Sequence, residues 1–566
     1  MYSLDKIVQE LASQAQTIVG GNMLPEVALA NPNFGADFAV ACFKLASQTG
    51  QNPHELAIQL ASKLQHPALQ KAEATAGFVN LWLKPEALAQ GLQKDTGEHE
   101  AYGQHADGQG KIAIVEFPSP NMAKPFSVGH LRPAVQGWAI AQLMKAMGYR
   151  VITDNHLGDW GTPFGKWVVG FRRYSSDEQL ARAGIHELAR VYIRITADLK
   201  AEKEQNNHEL ADEVQSWLLK LEDGDTEALS YSRRFADISI GHMHQVLERL
   251  GITTDYEFGE AFYIPKAKKM VEDLVQKGVA QRQADGSVIV SLDEYGIKTP
   301  ILLEKSNGAA LYATSDLATL EFRIEKWHPD KVIYVVAAEQ QFHFKQIFAL
   351  ANKLGYKSEY LHYWFGLIDQ IDEAGARSKM SSRKGVVLLE DLLDTAESEA
   401  RKHAANPGEL SDQSVKQIAL GAIKFTDFAQ DKKTSILFDW DRIFNLRGYS
   451  GAYVQYAAVR VKAILDKFGR QTQPATGYDW RAEHDILLCL ALYPQIVRAA
   501  ANQYEPHRIA QYAYNLAREL NKYYETTNVG AAEQPAQSAR LWLLGVVQQN
   551  FEHALGLLGI EIPDKM

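Results

Sequence analysis

Lys111-Ile-Ala-Ile-Val-Glu116-Phe-Pro-Ser-Pro-Asn121-Met-Ala-Lys124-Pro-Phe-Ser127-Val-Gly129-His130-Leu-Arg132 decides the fold. Lys111 to Phe117 is an apolar run that reads as a buried strand, and Gly129 to Met147 then carries apolar residues at helical spacing. The order is strand, glycine-containing loop, helix N-terminus. Such a terminus offers unpaired N–H groups and partial positive charge, so phosphate is its natural ligand. Gly129 lets a ligand approach the backbone closely, and His130 adds an imidazole that can donate to a phosphate or ribose oxygen. Gly-His alone reads better as an ordinary loop after a buried strand.

A second stretch, Ser378-Lys379-Met380-Ser381-Ser382-Arg383-Lys384-Gly385, changes the balance. Three cations and hydroxyls crowd a segment too polar for a core. Mobile cations suit a leaving pyrophosphate, because they neutralise charge that develops during transfer at phosphorus. Alone the cluster reads as a solvated basic loop; following the first loop, it points to the triphosphate of ATP.

Both stretches resemble the two signature motifs of class I aminoacyl-tRNA synthetases, and the wider text resembles the arginyl-tRNA synthetase family. Glu116-Phe-Pro-Ser-Pro-Asn, Gly129-His-Leu-Arg, Asn155-His-Leu-Gly-Asp-Trp-Gly, Tyr312-Ala-Thr-Ser-Asp316, Phe438-Asp-Trp-Asp and Tyr453-Val-Gln-Tyr-Ala follow in the family's order. The resemblance implies a Rossmann-like α/β catalytic core with insertions, an α+β N-terminal domain and an all-α C-terminal anticodon-binding bundle. It also implies ATP-dependent ligation of L-arginine to tRNA(Arg) through an arginyl-adenylate, releasing AMP and pyrophosphate.

Site residues carry over by local match. Glu116, Tyr312 and Asp316 are expected to bind the arginine side chain, and Asn121 and Gln340 its amino and carboxylate groups. The chemistry agrees, since a planar, permanently charged guanidinium calls for carboxylates that accept paired N–H bonds. Ser127, Gly129, His130, Lys379, Met380 and Ser381 are expected on ATP, with His130, Lys124, Lys379, Arg383 and Lys384 as the catalytic set. Two departures stand out. Ser127 occupies the first position of the family's His-x-Gly-His, and Ser382 replaces the second lysine of Lys-Met-Ser-Lys-Ser. Arg383, Lys384 or Lys124 then takes that lysine's role.

Domain limits follow content. Residues 1–110 form an N-terminal domain, expected to touch the tRNA elbow, and end in a Gly/His/Asp-rich linker from Tyr102 to Gly110. Residues 111–375 hold the catalytic core, with strand patterns at Tyr149–Thr153 and Lys331–Ala337 and an insertion over about 165–300 that includes a strand pattern at Ser287–Leu292. Residues 376–440 carry the basic loop and a helical connection, and 441–566 the bundle. In that bundle Tyr453, Tyr523 and Tyr524 are candidate stacking partners for anticodon bases.

Composition bounds the rest. A chain of 566 residues with 46% hydrophobic content builds several cores, since single cores stop growing near roughly 250–300 residues. Net charge is −10, but residues 441–566 hold 13 Lys and Arg against 12 Asp and Glu, a balance of +1 that leaves −11 elsewhere. RNA binding needs local basic patches rather than a basic whole. Cys42 and Cys489 form no CxxC pair, so no protein-ligated metal is expected, and Mg²⁺ should arrive with ATP. No signal peptide and no apolar run of roughly 18–20 residues is present, so a cytoplasmic, monomeric enzyme without membrane contact is expected. The absence of a dinucleotide fingerprint and of a Walker lysine motif argues against NAD enzymes and P-loop ATPases. A non-catalytic tRNA-binding paralogue and a small-molecule nucleotidyltransferase remain the alternatives.

Overall fold

The computed structural model describes residues 1–20, 23–98, 102–122, 126–159, 162–306, 312–371, 377–379, 387–404 and 407–566, with backbone alone at 32, 98, 162, 222, 312, 370–371, 377–379 and 407. The N-terminal part comprises α1 (Ser3–Val19), β1 (Val27–Leu29), β2 (Phe38–Ala41), α2 (Phe43–Thr49), α3 (Pro53–Lys63), β3 (Leu69–Thr75), β4 (Phe78–Leu83) and α4 (Pro85–Glu98). Its antiparallel sheet runs β1-β2-β4-β3. The start of α3 shows why these residues turn helical there: Asn52 accepts from the His54 N–H at 2.9 Å, and Pro53 needs no donor at the first position.

The catalytic part begins with β5 (Ile112–Glu116), α5 (Leu131–Ala146) and β6 (Arg150–Leu157). A helical excursion follows, with α6 (Thr162–Tyr174), α7 (Asp177–Glu204), α8 (Glu209–Glu222) and α9 (Thr226–Arg249). The chain returns through β7 (Tyr256–Gly259) and α10 (Glu260–Gln276) to a small antiparallel sheet of β8 (Gln281–Arg282), β9 (Val288–Leu292) and β10 (Ile297–Glu304). Then come α11 (Tyr312–Trp327), β11 (Lys331–Val335), α12 (Gln341–Lys353) and β12 (Glu359–Tyr363).

Five strands form one parallel sheet in the order β12-β11-β5-β6-β7. The chain leaves β5 towards β6 on one side and reaches β11 on the other, so a topological switch lies beside β5. Ligands of open α/β sheets bind in the crevice at such a point, beyond the carboxyl ends of the strands. The stretch expected to be an insertion at 165–300 therefore contains a strand of the main sheet. Four half-buried residues, Tyr-Glu-Phe-Gly, make β7, too short and too polar to stand out as an apolar run.

The remainder contains β13 (Ile368–Ile371), β14 (Arg377–Lys379), α13 (Leu389–His403), α14 (Asp412–Phe428), β15 (Ile436–Leu437) and α15 (Trp440–Ile443). The helices α16 (Gly451–Phe468), α17 (His484–Gln503), α18 (His507–Thr526) and α19 (Ala536–Leu557) complete the bundle. The N-terminal part is seated on it. Gln495 donates to Asp5 at 2.9 Å, Tyr102 donates to the Leu490 carbonyl at 3.1 Å, and His484 lies 3.3 Å from Asp37. The Tyr102–Gly110 segment is thus more than a spacer: Tyr102 is buried, and the His105 N–H donates to the Ala146 carbonyl at the end of α5.

Candidate active site

The loop after β5 is built by its own backbone. Ser119 takes φ 51°, in the left-handed region that non-glycine residues avoid, and its N–H donates to Asn155 Oδ1 at 3.1 Å. Asn121 forms a parallel bridge with Gly158, and the Met122 N–H donates to the Gly158 carbonyl at 2.9 Å. The chain then turns into α5 through Val128–His130, where the Ser127 N–H donates to His130 Nδ1 at 3.0 Å and the ring stacks on Phe126 at 4.8 Å. Ser127 thereby fixes the orientation of His130, and its hydroxyl lies 3.4 Å from the same Nδ1. Gly129 is exposed, with no atom nearer than 3.5 Å to where a side chain would begin.

This loop is stitched to the residues that follow the basic motif. The Val128 N–H donates to the Val387 carbonyl and the Leu389 N–H to the Phe126 carbonyl, both at 3.1 Å, and Ser127 bridges Leu388. On the motif's other side, Lys379 ends β14 in register with Asp369 of β13. Lys124, Met380, Ser381, Arg383 and Lys384 lie outside the described residues, as do the side chains of Lys379 and Tyr312.

Carboxylates line the sheet edge. Glu116 and Asp154 end up side by side because β5 and β6 pair in that register, and both are buried. Between them sits Arg323 of α11, fully buried, with Nη1 2.6 Å from Glu116 Oε2 and Nε donating to Asp154 Oδ2 at 2.9 Å. Burial opposes its charge, but the pull of Glu116 and Asp154 prevails and its pKa is raised further. One helical turn and more before it, Asp316 lies 2.5 Å from His343 Nε2 at the start of α12. Gln340, exposed, caps that helix just past the end of β11.

A further acidic pair was not expected from sequence. Glu260 opens α10 directly after β7, and burial, then Asp316 and Asp159, push its carboxyl up to about 8. Asp159 is raised as well, chiefly by burial, while its Oδ1 accepts from the Ala261 N–H at 2.9 Å. A side chain at Gly259 would begin 1.8 Å from Asp159 Oδ2, so the Asp159 carboxylate would have to move to admit one. Half-buried Glu260, held protonated by desolvation and by two neighbouring carboxylates, marks a place where a cation would be favoured. Arg323 could have been suspected, because it stands seven residues after Asp316, on the same helical face. Glu260 carried no signal without knowledge of β7.

The three bundle tyrosines fare differently. Tyr523 is 6% exposed and its hydroxyl donates to buried Glu483 at 2.8 Å, so it belongs to the core, and the expectation that it stacks on a base is corrected. Tyr524 is half-buried with the Arg460 guanidinium 4.2 Å above its ring. Tyr453 is half-buried, accepts from Asn521 at 2.9 Å and packs on Tyr514. Among the described residues no group of three or more His, Cys, Asp or Glu could hold a metal ion, and no helix is long and apolar enough to cross a membrane.

The parallel sheet, with a Gly-His loop bonded to the residues that follow the basic motif, belongs to a class I aminoacyl-tRNA synthetase. Residues 94–440 match the family model described as tRNA synthetases class I (R), catalytic domain. Residues 454–566 match the DALR anticodon binding domain, and 3–83 the arginyl tRNA synthetase N terminal domain. The arginine–tRNA ligases of Chloroflexus aurantiacus and Streptococcus pneumoniae are each 35% identical over the full length of both chains. The fold is similar to the Thermus thermophilus arginyl-tRNA synthetase, with TM-score 0.83 and 23% identity over all of both chains. It is also similar to the Plasmodium falciparum enzyme, with TM-score 0.79 and 21% identity over the same coverage. The chain belongs to the arginyl-tRNA synthetase family.

Proposed function

We propose that this chain joins L-arginine to tRNA(Arg) at the expense of ATP, and that Glu116, Asn121, Tyr312, Asp316 and Gln340 hold the amino acid. The observation that carries this reading is that the Gly-His loop, bonded to the residues after the basic motif, and the carboxylates Glu116 and Asp154 lie at the same end of the parallel sheet. Glu116 and Asp316 both bear on Tyr334, and Asp316 bears on Glu260. Glu116 shares Arg323 with Asp154, and a substrate guanidinium would add positive charge to this acidic group.

In the first step the arginine carboxylate attacks the α-phosphate of ATP, and pyrophosphate leaves. No protein nucleophile takes part; the chain orients the reactants and neutralises developing charge. Gly129 leaves room for phosphate at the N-terminus of α5, and His130, held by Ser127, meets a phosphate or ribose oxygen. Lys124, Lys379, Arg383 and Lys384 supply the cations, and Mg²⁺ enters with the phosphates. In the second step the 2′-hydroxyl of the terminal adenosine attacks the mixed anhydride and AMP leaves. Tyr453 and Tyr524 are proposed to help the bundle hold the anticodon, and residues 1–110 the elbow. Because all these residues come from one chain, the working state is proposed as a monomer, acting in the cytoplasm where its substrates are.

ATP–pyrophosphate exchange driven by each amino acid, with and without tRNA, tests the proposal. Exchange with arginine alone supports it. Exchange without any amino acid requirement indicates a small-molecule nucleotidyltransferase, and tRNA binding with no exchange indicates a non-catalytic paralogue.

A further inference from the structure

Arg132 is the second residue of α5, two positions after His130, and it is 1% exposed. It cannot touch a substrate. Its Nε donates to Asp427 Oδ1 of α14 at 2.7 Å, and its Nη1 donates to the carbonyls of Gly366 at 2.8 Å and Thr434 at 3.0 Å. Gln136, one turn along α5, donates to Asp427 Oδ2 at 3.1 Å and accepts from the Tyr363 hydroxyl at 2.6 Å. One guanidinium thus joins three chain segments that are remote in sequence.

Those segments lead to the basic motif. Gly366 lies between the end of β12 and the start of β13, and β13 pairs antiparallel with β14, whose last residue is Lys379. Thr434 precedes β15, which pairs with β13 on its other side. The Gly366 N–H donates to the Lys432 carbonyl at 2.8 Å, and a side chain at Gly366 would begin 2.7 Å from the Lys433 carbonyl oxygen, so this crossing admits no slack. At the other end, Arg132 is part of the turn that carries His130. The motif's far flank is already fixed to Ser127 through Leu388.

Stability alone does not call for such a pair. A buried ion pair is costly to desolvate and can often be replaced by apolar side chains without loss. What the planar fork adds is direction, because its N–H bonds leave at fixed angles. We infer that Arg132 and Asp427 are positioning residues that set the separation between the His130 loop and the strand bearing Lys379, and so act on the adenylate-forming step through both. The inference rests on the ligase reading proposed above.

Arg132→Lys keeps the charge but lets a single ammonium replace a fork with three acceptors. In arginine-dependent ATP–pyrophosphate exchange with tRNA present, its kcat should fall about 100-fold, the size expected when reacting groups are misplaced by an ångström. The KM for arginine should stay within about twofold, since the carboxylate pocket lies on other elements. Asp427→Asn, nearly the same shape, should show the same split with a smaller fall; it decides the matter if the lysine variant does not fold, as checked by thermal melting. Full kcat with lowered melting temperature in either folded variant would show a purely structural pair and overturn the inference. A parallel rise in KM for arginine with no fall in kcat would overturn it as well. Absence of arginine-dependent exchange in the unaltered protein would instead reject the ligase reading.

Discussion

Arg323 holds Glu116 from behind: Nη1 stands 2.6 Å from Glu116 Oε2, while Ser119 donates to Oε1 at 3.2 Å. Glu116, proposed to bind the substrate's side chain, is therefore pre-oriented by a guanidinium belonging to the protein. A carboxylate offers about four lone-pair sites, so a second guanidinium can share it. With Asp154 on the same arginine, two carboxylates face one internal cation and a net negative charge remains, which on the proposed reading a substrate guanidinium would meet.

Replacing Arg323 by lysine should raise the KM for arginine about tenfold while leaving that for ATP nearly unchanged, because only the carboxylate's orientation is lost. Arg323→Met should unfold the core, at a cost of about 3–5 kcal/mol for two buried carboxylates left unpaired. Steady-state exchange and denaturant melts check the two. Equal rises in both KM values for the lysine variant would contradict the assignment of Glu116 to the amino acid.

Glu260 predicts a pH dependence. Its carboxyl titrates near 4.5 when unfolded and about 8 when folded, so the folded state binds the extra proton between those values. Its stabilising effect is complete below 4.5 and is lost as pH rises through about 8. A bound guanidinium favours the ionised form. Arginine should therefore raise the melting temperature more at about pH 9 than at about pH 6, and Glu260→Gln should flatten that difference. A difference independent of pH would place the guanidinium away from Glu260.

Gly259→Ala would thrust a methyl group into the Asp159 carboxylate, which approaches to 1.8 Å. Asp159 must then swing away from the Ala261 N–H that it accepts. The expected cost is about 1–3 kcal/mol in stability, as for other overpacked positions, with weaker arginine binding by calorimetry. Unchanged stability and binding would show that the turn into α10 is more yielding than its packing indicates.

His484 joins the bundle to the N-terminal part. Hydrogen bonds that it donates to the Asp37 and Asp485 carboxylates raise its pKa to about 10. The charged pair's contribution is complete below the unfolded value near 6.5 and disappears as pH rises through about 10. Proteolysis between residues 1–110 and the rest should thus accelerate above about pH 9, and His484→Ala should be cleaved at that faster rate already at neutral pH. Equal cleavage rates at all pH values would remove His484 from the junction.

Much of this was legible because strong local patterns coincide with motifs. The runs ending at Glu116 and beginning at Lys331 became β5 and β11, and the helical spacing after Gly129 became α5. β7 and β12 were missed, since four half-buried residues and a Tyr/His-bearing edge strand show no apolar run. Periodicity marks burial, not what is buried beside it. Arg132 and Arg323 are charges inside the protein and Glu260 is a half-buried titratable group, and only the crossing of distant segments brings their partners to them. Tyr523 shows the converse: the sequence presents an aromatic residue, and the bundle closes over it.

Charging of total tRNA by the purified protein, with Mg²⁺-ATP and each proteinogenic amino acid in turn, tests the central proposal most directly. Arginine alone should become esterified to tRNA, and Asp316→Ala should abolish this while ATP still binds. Charging with another amino acid, or none with arginine despite tight tRNA binding, would contradict it.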